Sequence, residues 1–70
     1  MNGNEFLKRM KRYAKQKNLD VRFEKHRGKG AHGILYLGDK KTTLKDRKKE
    51  IGVGLLNAML SQLGVPPEDF

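Results

Sequence analysis

The sequence predicts an α+β fold of order α-β-β-β-α, a three-stranded antiparallel sheet with two helices on one face. Three observations lead there. Apolar residues recur at helical spacing near the start of the chain, short segments in its middle follow strand spacing, and a second helical pattern runs up to Gly64-Val65-Pro66-Pro67. The 70 residues suffice for a single domain, 1–70, with a thin core, because a chain this short buries only about 60 % of the surface its unfolded form exposes.

Each element has its own signal. Asn2 or Asn4 caps the first helix, and Glu5 suits its positive end. Phe6, Leu7, Met10, Tyr13 and Ala14 fill an arc of roughly 120° opposite Lys8, Arg9, Lys11, Arg12 and Lys15. Asn18 ends this helix, since asparagine tolerates left-handed geometry. Leu19, Val21 and Phe23 then alternate with Asp20, Arg22 and Glu24, the period of a strand with one buried face. The segment His26-Arg27-Gly28-Lys29-Gly30-Ala31-His32-Gly33 follows as a glycine-rich connection.

Ile34-Leu35-Tyr36-Leu37 reads as a second strand, apolar on both faces. Gly38-Asp39 is a two-residue hairpin turn. Lys40-Lys41-Thr42-Thr43-Leu44 returns as a third strand whose lysines and threonines suit a sheet edge. Lys45 to Glu50 is expected to be a solvated connection. Val53, Leu55, Leu56, Met59, Leu60 and Leu63 cover an arc of roughly 160°, with Asn57, Ser61 and Gln62 on the other side. Gly64 takes the position after the helix, Val65 supplies the accompanying apolar contact, and the two prolines prevent continuation.

Charge carries the first functional information. Sixteen Lys and Arg against eight Asp and Glu give +8, and every basic residue lies between Lys8 and Lys49. Such a body suits a polyanion, because each phosphate neutralised releases counterions; the plainer reading is a surface kept soluble by repulsion. Cysteine is absent, which excludes disulfides and thiolate metal sites. Two histidines without carboxylates at short spacing do not make a zinc site, so neither a metal nor another cofactor is expected. No apolar run approaches the roughly 18 residues that span a bilayer. The polar opening, Met1-Asn2-Gly3-Asn4-Glu5, lacks the features of a secretory signal, so a cytoplasmic location without membrane attachment is expected.

Few residues could do chemistry. Gly28, Gly30 and Gly33 form a loose G-x-G-x-x-G, but between strands and not at a helix start, which argues against a dinucleotide fold. Loop geometry explains Gly28, whereas Gly30 and Gly33 fit either loop geometry or amide contacts to phosphate. His32 stands at the entrance to the second strand, with Lys25, Arg27 and Lys29 nearby. Histidine titrates near neutral pH and can exchange a proton with a ribose hydroxyl or a leaving oxygen. RNA carries its own nucleophile, so its cleavage requires only a proton-transfer group, cations and a fixed geometry. The plainer alternative is a histidine that contacts phosphate without reacting, or fills space beside Tyr36. His26 reads as a surface residue or phosphate contact.

These residues resemble the HicA toxins, small ribonucleases of bacterial toxin–antitoxin pairs with a fold like that of double-stranded-RNA-binding domains. The family's Gly-Ser-His at the start of the second strand corresponds to Gly30-Ala31-His32, followed by Ile34 to Leu37 with Tyr36. Glu50-Ile51, Gly54-Leu55, Met59-Leu60 and Gln62-Leu63-Gly64 fall at the family's spacing, and the resemblance runs from about Glu5 to Val65. Ala31 replaces the usual serine, and Leu44-Lys45-Asp46-Arg47 stands where a proline and second histidine are common. The resemblance implies messenger-RNA cleavage with His32 as the catalytic histidine, and a HicB-type antitoxin as partner. In such an enzyme Lys25, Arg27, Lys29 and Gly30 are the expected RNA contacts, positioning phosphate beside His32. On the residues alone, the alternative is a non-catalytic RNA-binding module using the same basic surface.

The second helix hints at a partner independently. Ile51 to Val65 contains no charge, and its apolar arc exceeds the roughly 100° that faces one core. An antitoxin laid over the surplus is one solution; a homodimer is another.

Overall fold

The computed structural model describes residues 1–25 and 32–70. Helix α1 (Gly3–Gln16) leads into strands β1 (Val21–Lys25), β2 (Gly33–Leu37) and β3 (Lys40–Leu44). Helix α2 (Val53–Leu63) and a 3₁₀ turn (Pro67–Asp69) follow. The sheet is antiparallel in the order β1-β2-β3, so β2 is central and both its neighbours are edges. This is the α+β arrangement that the periodicities predict.

Asn2 is the N-cap of α1. Its side chain accepts from the Glu5 amide at 2.9 Å, while Glu5 accepts from the Asn2 amide at 3.3 Å, a reciprocal capping box. The helix ends at Lys17, and Asn18 takes the left-handed conformation (φ 56°) expected of it. At the far end of the domain Gly64 (φ 71°) closes α2. The Gly64 amide donates to Ser61 at 3.1 Å and the Val65 amide to Leu60 at 2.9 Å, with Val65 buried as the apolar anchor.

One sheet face meets both helices. Phe6, Leu7, Met10, Tyr13 and Ala14 of α1 share a core with Leu35, Leu37, Leu44, Met59, Leu60 and Leu63, against which Val21 and Phe23 are half-buried. Thr42 is the one buried polar side chain among the described residues, and its hydroxyl donates to Gln62 of α2. The threonine, expected at a sheet edge, is thus buried and satisfied by a glutamine that stays on the exposed side of α2 as expected. Phe70 packs on Phe6 with centroids 5.2 Å apart, a contact without a periodic signal.

Two expectations need correction, on Leu19 and on the link from Lys45 to Glu50. Leu19 precedes the first strand instead of belonging to it, and is 41 % exposed. Val53 and Leu55, 76 % and 50 % exposed, are the surplus that the wide apolar arc of α2 implies, since one sheet layer cannot cover it. Lys45 to Glu50 is more than a solvated link. The Arg47 carbonyl accepts from the Asn4 amide at 3.0 Å, and the Arg47 guanidinium lies over the Phe23 ring, 5.4 Å from its centroid. The connection thus ties the start of α1 to the sheet. Among the described residues no helix is long and apolar enough to cross a membrane.

Candidate functional site

The site is set by the hairpin register. Gly38 (φ 60°) makes the turn, Leu37 pairs with Lys40, and the ladder runs outward to Gly33 opposite Leu44. One step beyond stand His32 and Lys45. Both line a cleft of about 250 Å³ at the open end of the hairpin. Thr43 and Leu44 of β3 contribute to it, Lys49 stands on its rim, and Ile51, Leu55 and Met59 supply an apolar wall.

The electrostatics follow from which charges are engaged. Asp46 accepts the Lys48 amide at 2.9 Å, fixing the turn after β3, and Glu50 pairs with the N-terminal ammonium. Both carboxylates line the cleft; Glu50 is offset by an ammonium, while Asp46 leaves one negative charge there. Among the described residues Lys45 and Lys49 form no ion pair, and His32 is exposed to solvent. Helix α2 starts at the same place, capped only by Gly52, with no acidic residue in its first turn. An accessible imidazole beside two available ammonium groups can exchange a proton and offset charge that develops on a bound phosphate.

The entrance to β2 is held by packing. A Cβ on Gly33 would stand 2.4 Å from the Phe23 ring and 2.7 Å from the Glu24 carbonyl oxygen. Between the two readings left open for Gly33, this contact favours a structural one: strand and ring approach too closely for any side chain. Phe23 is clamped in turn by Arg47.

Of the residues selected from sequence, His32 lines the cleft. Lys25 is exposed at the end of β1 and pairs in register with Gly33, next to His32, but does not line the cleft. Arg27, Lys29 and Gly30 lie outside the described residues, as does His26. Lys45 and Lys49 were missed because they belong to a segment read as a connection. For Lys45 a signal was present: counting outward from a two-residue turn at Gly38-Asp39 puts it opposite His32. The chain matches no family model, no curated protein and no solved structure.

Proposed function

We propose that this chain is the toxin of a toxin–antitoxin pair and cleaves messenger RNA in the cytoplasm as a metal-independent endoribonuclease, with His32 as general acid or base. The supporting observation is the exposed imidazole of His32 in one cleft with Lys45 and Lys49, which form no ion pair among the described residues. In the reaction the ribose 2′-oxygen attacks the adjacent phosphorus, the bond to the 5′-oxygen breaks, and a 2′,3′-cyclic phosphate and a free 5′-hydroxyl result. One proton leaves the 2′-oxygen and one reaches the 5′-oxygen; His32 carries out one of these transfers. Lys45 and Lys49 offset the charge gathering on phosphate oxygens, while Lys25, Arg27, Lys29 and the Gly30 amide hold flanking phosphates. The resemblance to HicA toxins supports the same reading and points to a HicB-type antitoxin as the protein partner.

A second reading rests on a separate observation. Lys8, Lys11, Arg12 and Lys15 form an exposed basic side of α1 that makes no use of His32, which fits a non-catalytic module recognising RNA by shape. Incubation of RNA with purified protein and a chelator decides between them. The nuclease reading expects chelator-resistant cleavage leaving cyclic phosphate ends, reduced at least about a hundredfold in His32→Ala. Equal cleavage by the variant would refute the role of His32. Salt-sensitive binding without cleavage would establish the binding module.

A further inference from the structure

The sheet face turned away from the helices carries a group of side chains of which only Thr43 also lines the cleft. Strand alternation puts Arg22 and Glu24 of β1, Ile34 and Tyr36 of β2, and Lys41 and Thr43 of β3 on this side. Tyr36 occupies the central strand, with Arg22 directly opposite on one side and Lys41 directly opposite on the other. The Arg22 guanidinium lies over the Tyr36 ring, 4.7 Å from its centroid, and its Nε is 3.6 Å from the Glu24 carboxylate. A concavity of about 440 Å³ opens beside the pair, lined by Asp20, Val21, Arg22, Tyr36 and Gly38. That volume falls within the roughly 300–1,000 Å³ of small-ligand sites.

We infer that this face is a stacking site for a nucleobase of single-stranded RNA. The chemistry selects a base over a phosphate. Asp20 and Glu24 stand beside Arg22, so a third negative charge would be repelled, whereas a neutral base is not. A guanidinium layered on a phenol ring offers flat π surface, the kind of platform on which unpaired bases stack. Asp20 accepts hydrogen bonds only and suits the exocyclic amine of adenine, cytosine or guanine. Lys41, on the other side of Tyr36, is placed for the phosphate that follows the base. A duplex keeps its bases enclosed and cannot use this face.

The site deepens the nuclease reading, and its placement in a cleavage mechanism rests on that reading. Tyr36 and His32 lie on the same strand segment, four residues or ~13 Å apart at strand rise, a distance that a few extended nucleotides span. A base held on Tyr36 would lead the strand along β2 toward the cleft and make unpaired RNA the substrate class.

The chain contains no tryptophan, and its only tyrosines are Tyr13 and Tyr36, so in Tyr13→Phe all tyrosine emission comes from Tyr36. The probe is a mixed-sequence 2′-O-methyl RNA octamer, which lacks the attacking hydroxyl and so reports binding without cleavage. The expected results are quenching of the Tyr36 emission by the single strand but not by its duplex, and octamer binding weakened about 5- to 100-fold in Tyr36→Leu. Tyr36→Phe should bind within about twofold of wild type, because the ring is retained. Arg22→Ala, at an exposed position, should weaken binding without disturbing the fold, with far-UV circular dichroism as the check. Unchanged affinity in both Tyr36→Leu and Arg22→Ala, or equal quenching by the duplex, would overturn the stacking site. Neither result bears on whether His32 cleaves RNA, and loss of His32-dependent cleavage would leave a positive octamer result standing.

Discussion

Gly33 and Lys45 show what single residues contribute here. At Gly33, the Phe23 ring fills the space where a side chain would begin. Gly33→Ala should therefore destabilise the fold by about 1–3 kcal/mol through overpacking, measured by urea denaturation. An unchanged midpoint would mean that Phe23 moves aside freely. Lys45 tests the electrostatics of the cleft: Lys45→Ala is expected to lower the cleavage rate about 10- to 100-fold with little effect on stability. An unchanged rate would remove Lys45 from the mechanism. The two residues differ in how far the sequence reveals them. The position of Lys45 follows from counting across a turn that is readable in the chain, whereas the reason for Gly33 depends on Phe23, ten residues earlier, folding over it. Local spacing carries no such information.

The elements were legible where each contains its own signal. The first helix has a capping asparagine, a single apolar stripe and a left-handed asparagine at its end, and its buried apolar side chains, Phe6, Leu7, Met10, Tyr13 and Ala14, are the predicted ones, with Gly3 buried besides. The second helix shows where such reading stops. Its periodicity identifies a helix and a surplus of apolar surface, but which part of the wide arc stays uncovered, here Val53 and Leu55, depends on the width of the sheet beneath. Its start is weakly encoded as well, with glycine at the cap and again at Gly54, where an added Cβ would meet nothing within 4 Å. Gly54→Ala should accordingly raise stability by about 0.4–1 kcal/mol by restricting the unfolded chain, seen as a higher melting temperature. A fall would mean that the backbone there needs the freedom of glycine.

For the whole molecule, the distribution of charge matters more than its sum. Every basic residue precedes Glu50, and the cleft, the exposed side of α1 and the bare sheet face all draw on that part of the chain. Binding to single-stranded RNA should weaken with salt, with a log–log slope of about −2 to −3 if three or four phosphates are neutralised. A slope near zero in a salt titration would contradict a polyanion surface. The exposed Val53 and Leu55 stand at the same end of the molecule, and Leu55 forms part of the cleft wall, so a protein seated on this apolar corner would also shut the cleft. The hairpin has a consequence of another kind. His32 and Lys45 reach the same cleft through the tally of residues on either side of Gly38-Asp39, which makes the site tolerant of many exchanged side chains along the ladder and intolerant of a changed chain length. One inserted residue in that bend would slide the third strand out of step, turn the lysine toward the opposite surface and uncouple the two groups without altering either.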